Sequence, residues 1–525
     1  MTAALGVRER RQARALAALA ATNPFSDRWT ALEAEALGDA VQKRERPWSL
    51  GADADARTEN LRALEALTSE VRARLRRALD AGVATADDAA LHREVALFDL
   101  YNQSIAPLDG LVLSGAHKKV TAYKDTQRAF VDAFDDVDDA ARPGFGAAHA
   151  FAGFFQIRRA FFHTFGAIVG TSRAVAALRA SIWEAIFTVD AARYRRALFA
   201  RMRDVPTLIL GETGTGKELV ARAIGLSGFV PFVEEKGAFA GDPRTAFFPI
   251  HLQALSPTLI ESALFGHKKG AFTGALADRV GVFAACPPWG TVFLDEIGEL
   301  APELQTKLLR VLETRDFAPL GEDDVARFDG RVVAATNRDL DAAMARGDFR
   351  DDVYFRLAGV VVRTPPLRAR LREDPSERAR LVAHLSGQIA GVDEGPALAA
   401  AVDDALGALP ADHRWPGNVR ELAQHVRAVL VHGRIDTAGA DAADVDGVVD
   451  DDRGVDNDVA EPGWLRAARE GALSADALVT HYVRHVHASE GTYEGTARRL
   501  GLDRRTVKAR VVDNIVDNVD GARDV

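Results

Sequence analysis

The chain has 525 residues, 47% apolar and 27% charged, which is ordinary for a folded globular protein and leaves room for about three domains of roughly 100–200 residues each. A net charge of −10 argues against a uniformly basic nucleic-acid coat but allows one local basic module. The single cysteine, Cys286, excludes an internal disulfide framework and is expected to be a small buried residue just before an acidic strand.

The N-terminal third is expected to be mainly helical, over residues 1–165. Arg8, Arg10, Arg11 and Arg14 precede an Ala/Leu stretch too short for a secretory core, so a cytoplasmic protein is expected. Leu61, Leu64, Leu67, Val71, Leu75 and Leu79 recur at helical spacing and Gly82 closes the run. Phe151, Phe154, Phe155, Phe161, Phe162 and Phe165 form a dense aromatic cluster, expected as helical core or as a surface packed against the next domain, with a ligand pocket as the alternative. Phe145–Val169 is the most apolar stretch, but Gln156, Arg158, Arg159 and His163 interrupt it and no membrane span is expected. Nothing here resembles a phosphoacceptor receiver, and the function of this region is not readable from the residues.

Over 166–365 the pattern becomes α/β. Thr207–Leu210, Thr291–Leu294 and Val332–Ala335 each read as a buried parallel strand followed by a polar turn. The first runs into Gly211-Glu212-Thr213-Gly214-Thr215-Gly216-Lys217-Glu218, a phosphate-binding loop opening a helix. Its glycines let backbone N–H groups wrap phosphates, the helix N-terminus favours negative charge, and Lys217 reaches the β- and γ-phosphates of ATP. Asp295 and Glu296 follow the second strand, Asp295 placed to hold Mg²⁺ and Glu296 to polarise the attacking water. Residues 366–436 read as a helical lid. Residues 437–463 read as a linker, with nine acidic residues and one Arg between Asp441 and Glu461.

Residues 464–525 are expected to end the chain with an all-α DNA-binding domain. From Tyr493 to Val512, Ala497, a turn at Gly501, an N-cap at Asp503 and a basic helix fit a helix-turn-helix. The basic residues Arg498, Arg499, Arg504, Arg505, Lys508 and Arg510 outweigh Glu494 and Asp503, leaving a local net charge of +4, and Arg504, Arg505, Thr506, Lys508 and Arg510 are the expected double-stranded DNA contacts. Val479, Val483 and Val486 on the preceding helix are a candidate dimer face.

Between the phosphate loop and the acidic strand end lies Gly270-Ala271-Phe272-Thr273-Gly274-Ala275, preceded by Glu261-Ser262-Ala263-Leu264-Phe265-Gly266-His267-Lys268-Lys269. This stretch resembles the sigma-contacting surface loop of the sigma-54-dependent transcription activators, a family of AAA+ ATPases. The similarity covers about 166–436, and more loosely 476–512, where the chain resembles a Fis-like helix-turn-helix. It implies an α/β AAA+ P-loop fold with a helical lid, ATP and Mg²⁺ as cofactors, and a homo-oligomeric, commonly hexameric ring. It further implies that 270–275 touch sigma-54 RNA polymerase holoenzyme, with Phe272 and Thr273 the contact residues. By the same resemblance Asn337 is the polar sensor, Arg420 the lid arginine, and Arg350 and Arg356 the candidate arginine fingers; Glu218, where many P-loop proteins carry Ser or Thr, is usual in this family. The implied function is ATP-driven remodelling of the sigma-54 closed complex at a DNA-bound site. The alternative is a DNA-binding regulator with a vestigial ATPase, acting by site occupancy. Two departures stand out. His251 occupies the place of a usual Asn that restrains the catalytic Glu, and the segment Val233–Phe247 is longer than usual.

Overall fold

The structure, a computed structural model, describes residues 5–46, 48, 54–134, 145–254, 256–322, 324–410, 412–435, 475–500 and 502–512. The chain divides into two units, residues 1–441 and 442–525.

The first unit opens with helices α1 (Val7–Ala21), α2 (Asp27–Leu37), α3 (Ala54–Asp80), α4 (Ala86–Ser114), α5 (Tyr123–Phe134), α6 (Ala147–Ala167) and α7 (Arg173–Phe187). The leucine repeat indeed forms α3, which buries Leu64, Val71 and Leu75 and stops before Gly82, whose φ of +67° suits a residue without a β-carbon. Helix α4 starts at a reciprocal cap, the Thr85 hydroxyl accepting from the Asp88 amide and the Asp88 carboxylate from the Thr85 amide.

The aromatic cluster is a packing surface shared by two groups of residues. Phe151, Phe154 and Phe155 of α6 are buried in a cluster with Phe232 and Phe239, which belong to a short antiparallel hairpin, Phe232–Val233 against Ala238–Phe239. Phe161 and Phe165 instead meet Phe25 and Trp183. All of the hairpin but Phe232 falls in the segment Val233–Phe247, expected to be longer than usual. Its backbone is stitched to the helices, Val120 N donating to Gly237 O at 2.9 Å and Phe239 N to His117 O at 2.9 Å. The Tyr123 hydroxyl donates to the Glu234 carboxylate. Fully burying each such aromatic contributes about 1.5–3 kcal/mol.

The central sheet has five strands, β1 (Thr207–Leu210), β2 (Phe247–His251), β3 (Thr291–Asp295), β4 (Arg331–Thr336) and β5 (Val360–Arg363). All are parallel, in the order β5-β1-β4-β3-β2. The α/β class and the three expected strands are therefore present, and the two edge strands are additions. Pro249 sits in the middle of β2 opposite Phe293. It is tolerated because an edge strand needs only one side of its ladder. Cys286 is buried in the core under the sheet, where burial pushes its thiol up to about 12.

Helices Leu367–Glu373, Glu377–Leu406 and Asn418–His432 form a separate apolar cluster around Leu367, Val382, Val402, Leu422 and Val426. The second of them bends at Gly391, whose φ is +82°. The acidic linker 437–463 lies outside the described residues, as do 464–474 and Gly501. In the second unit, helices Ala475–Glu490, Tyr493–Leu500 and Arg504–Val512 close on Val483, Ala497 and Val507. The expected dimer face needs correcting: Val483 and Val486 are 1% and 5% exposed, while Val479 is 42% exposed. Among the described residues no helix is long and apolar enough to cross a membrane.

Candidate active site

The site forms where β1, β3 and β4 end side by side. After β1 the backbone turns through Gly214 (φ +76°) and Gly216 (φ +90°) into helix Lys217–Gly225. A β-carbon at Gly214 would collide with the Gly417 carbonyl and the Arg420 side chain, so the loop and the lid touch there without intervening side chains. Thr215 is buried, its hydroxyl donating to Glu212 O at 2.7 Å and lying 2.7 Å from the Thr364 hydroxyl. Glu218 is exposed in the first turn of the helix, where a negative charge is favoured by the helix dipole.

Lys217 is 8% exposed and its ammonium donates to Gly211 O at 3.0 Å and Glu212 O at 3.4 Å. Burial lowers its pKa from the ordinary lysine value, while the Glu296 and Asp295 carboxylates act in the opposite sense. A buried cation held against the carbonyls of a glycine turn that opens a helix is a site that fits a polyphosphate.

The two acidic residues point different ways. Asp295 ends β3, and its carboxylate lies 3.0 Å from His251 Nδ1 on β2. Glu296 has a left-handed backbone, φ +55° and ψ +52°. Its Oε1 lies 3.7 Å from Lys217 Nζ and its Oε2 accepts from the Asn337 amide at 3.1 Å. The Asn337 side chain donates to the Thr213 hydroxyl at 2.8 Å. Asn337 therefore bridges the phosphate loop and the candidate base. His251, at the place of the usual restraining Asn, is bonded to Asp295 and not to Glu296.

The lid reaches the loop through residues whose part sequence reading missed. Asn418, buried with φ +51°, donates to Thr213 O at 3.0 Å and accepts from the Leu367 amide at 2.7 Å. Arg368 forms a two-pronged ion pair with Glu212, and that hydrogen bonding holds the Glu212 carboxyl below the usual range. Arg420 sits beside Gly214, and its charge is among those acting on Lys217. No motif marks Arg368 or Asn418 as ligands of a loop some 150–200 residues away.

The structure does not bring Arg350 and Arg356 to this cluster. Arg350 pairs with Asp352 at 2.8 Å and also reaches the Thr306 hydroxyl at 3.4 Å, while Arg356 Nε donates to Leu312 O at 3.0 Å. Both are exposed on the face that joins helix Asp351–Leu357 to helix Pro302–Thr314.

The 270–275 loop rides on a two-residue antiparallel ladder, Gly266-His267 against Arg279-Val280. Its turn is closed by Gly270 N to Ala275 O at 2.9 Å and Ala275 N to Phe272 O at 3.0 Å, with positive φ at Gly270 and Gly274. Thr273 is exposed and Ala275 is buried. Phe272 is half-buried, its ring standing edge-on to the His267 ring at 4.9 Å, so of the two expected contact residues only Thr273 is exposed.

In the second unit, Asp503 caps the last helix, accepting from the Arg505 and Thr506 amides at 2.9 and 3.0 Å. Thr506 also donates its hydroxyl to Asp503 at 2.6 Å. Arg504 pairs with Glu494 at 3.0 Å, and Arg510 donates to Thr480 at 2.8 Å. Arg505, Lys508 and Arg498 are exposed.

The sigma-54 interaction domain family matches residues 188–363. The chain is 42% identical over 258 residues to the Nif-specific regulatory protein of Azotobacter vinelandii, covering 48% of this chain and 46% of that protein. It is 35% identical over 340 residues to the DNA-binding transcriptional regulator NtrC of Azospirillum brasilense, covering 61% and 66%. A crystal structure of NtrX from Brucella abortus in complex with ATP is similar at 25% identity over 70% of this chain and 76% of that chain, with a TM-score of 0.38. The chain spans about half the length of most of the curated relatives it matches, 46% of the first. With a sigma-54 interaction domain at its centre, the chain belongs to the family of sigma-54-dependent transcriptional activators.

Proposed function

We propose that this protein binds ATP with Mg²⁺ at the β1–β3–β4 edge, hydrolyses it within a homo-oligomeric, hexamer-like ring, and uses the turnover to remodel the sigma-54 RNA polymerase closed complex while its C-terminal helices hold double-stranded DNA. The observation that carries this reading is the bridge from Thr213 through Asn337 to Glu296, with Lys217 Nζ 3.7 Å from Glu296 on the other side. It puts a phosphate-contacting cation and a candidate base around one point.

In this reading the amides of 211–217 and Lys217 bind the β- and γ-phosphates, and Arg420 approaches from the lid. Asp295 would hold Mg²⁺, which supplies charge neutralisation at the phosphates when bound. Glu296 orients the attacking water and accepts its proton, and Asn337 keeps Glu296 turned toward that water. The exposure of Arg350 and Arg356, away from their own subunit's phosphate loop, supports their acting on a neighbour's nucleotide. The positive turn glycines and exposed Thr273 support the 270–275 loop as the sigma-54 contact. Arg505 and Lys508 support DNA contact by their exposure; Arg504, Thr506 and Arg510 would have to leave or share their present partners.

The test is open-complex formation by the purified chain with sigma-54 holoenzyme on a promoter carrying its DNA site. ATP should support opening and a non-hydrolysable analogue should not. Thr273→Ala should retain ATPase within about threefold, as expected of an exposed surface residue, and lose opening. Opening by Thr273→Ala at the parent level would overturn the loop assignment.

A further inference from the structure

A cavity of about 620 Å³ lies among α1, α3, α4, α6 and α7, within the roughly 300–1,000 Å³ typical of small-molecule sites. Its wall is mostly apolar, with Leu64, Phe98, Ile105, Phe161 and Trp183 prominent, and the exposed Leu113 and Phe162 belong to its rim.

The charges on this wall are unequal in their commitments. Arg158 forms a two-pronged pair with Asp109 at 2.6 and 2.9 Å, and Arg195 pairs with Glu94 at 2.9 Å. Glu65 is exposed to water. Arg57 makes no hydrogen bond or ion pair among the described residues, and Glu33, whose field reaches it, is already paired with Arg44. Burial first, and then the Arg44 charge, lower the Arg57 pKa from its ordinary value, so this cation stands in a place that favours an added anion. The Asn102 amide, also on the wall, is likewise without a hydrogen bond among the described residues.

We propose that the cavity is the binding site of a small amphipathic carboxylate, its apolar or aromatic body against the Leu64–Phe161–Trp183 wall and its carboxylate on Arg57. A neutral apolar ligand would leave Arg57 unanswered, and a cation would add to its repulsion. Occupancy is transmitted to the nucleotide site, a step that rests on the proposed ATPase. Phe161 and Trp183 share one apolar cluster with Val220 and Ile224 of the helix that begins at Lys217. The link from α6 to α7 is tied to the lid, the Thr171 and Ser172 amides donating to the Glu377 carboxylate at 2.9 and 2.7 Å. A ligand that shifts α6 against α7 therefore moves both the phosphate-loop helix and the lid.

The experiment is calorimetric titration of the full chain with decanoate, 4-phenylbutyrate and indole-3-acetate, with decanol and decylamine as charge controls. At least one carboxylate should bind with one-to-one stoichiometry, and decanol about tenfold or more weaker than decanoate if decanoate is the binder, as expected for a lost charge-assisted hydrogen bond. Arg57→Gln should remove that advantage, and Ile105→Trp, which fills the cavity, should remove carboxylate binding with Arg57 intact. The two variants are independent, so misfolding of either leaves the other to decide. Failure of all three carboxylates to bind, or equal binding by the parent and Arg57→Gln, overturns the proposal. Saturating carboxylate should also change the ATPase rate by about twofold or more, the scale of an ordinary allosteric coupling. Binding without a rate change in an active ATPase overturns the transmission alone, and a chain that binds carboxylate but never hydrolyses ATP overturns the proposed function instead.

Discussion

The candidate nucleotide site and the N-terminal cavity are linked through helix Lys217–Gly225, whose Val220 and Ile224 share an apolar cluster with Phe161 and Trp183 of the cavity wall, and they are built in opposite ways. The first is polar and draws on strand ends and the turns after them. Its groups are already tied to one another, Lys217 to Gly211, Asn337 to Thr213 and Glu296, Asn418 to Thr213. The second is apolar, assembled from helices between Leu19 and Arg195, and its Arg57 has no such tie among the described residues. Chemistry needs fixed distances and gets them from a sheet edge. A site open to varied ligands needs volume and one uncommitted charge, which a helical bundle provides.

The largest test of this contrast is Arg350→Ala, which should lower ATPase by about 10³-fold or more if the arginine completes a neighbour's site. Mixing Arg350→Ala with Lys217→Ala subunits should restore part of the rate, because some interfaces then pair an intact loop with an intact arginine. A rate unchanged in Arg350→Ala would mean that the polar site is complete within one subunit. Glu296→Gln should bind ATP like the parent and turn over about 10²–10⁴-fold more slowly, the range for loss of a general base. Parent-like turnover would remove Glu296 from that role.

On the apolar side, Phe151 is fully buried between α5, α6 and the 232–239 hairpin. Phe151→Ala should cost about 3–5 kcal/mol of unfolding free energy, measured by urea denaturation. A loss below about 1 kcal/mol would show that this interface collapses around the gap.

The smallest expected effect is acid sensitivity within the helices. Burial, reinforced by Arg72 and Arg76, pushes His92 of α4 down to about 4. Its folded-state pKa is thus below the ordinary value near 6.5, and the unfolded chain binds the extra proton between the two. Stability should be fully present above about pH 6.5 and decline as the pH falls toward 4. His92→Gln, neutral throughout, should flatten the fall in melting temperature across that window. An unchanged slope would assign the acid sensitivity to other groups.

What the sequence disclosed follows the same division. Phosphate binding constrains consecutive residues, so 211–217 and 295–296 are visible as short strings, and β1, β3 and β4 are visible as apolar runs before them. Strand β2 is hidden because Pro249 reads as a breaker until the strand is known to lie at the edge. Arg368 and Asn418 are hidden because their role depends on the lid folding back over Gly214. His251 is visible as a departure, but its bond to Asp295 depends on the register that places the two opposite each other. The cavity is the extreme case. Its walls come mostly from α4 and α6, with a few residues from other helices, and no local motif marks them as one site. The aromatic run on α6 leaves core packing and a ligand pocket open, and only the fold shows that Phe151 and Phe155 meet the hairpin while Phe154, Phe161, Phe162 and Phe165 line the cavity.

The stitched hairpin has a practical consequence for anyone wishing to isolate the part that carries the candidate active site. Phe232 and Phe239 are covered by α5 and α6, with Trp289 packed against the same cluster. A chain shortened to begin at residue 166 would keep every phosphate-loop and strand-end residue and yet turn this aromatic face to water. It would also leave the Val120–Gly237 and His117–Phe239 backbone partners without each other. Such a fragment should self-associate or precipitate, and solubility would return when α5 and α6 are supplied as a separate chain.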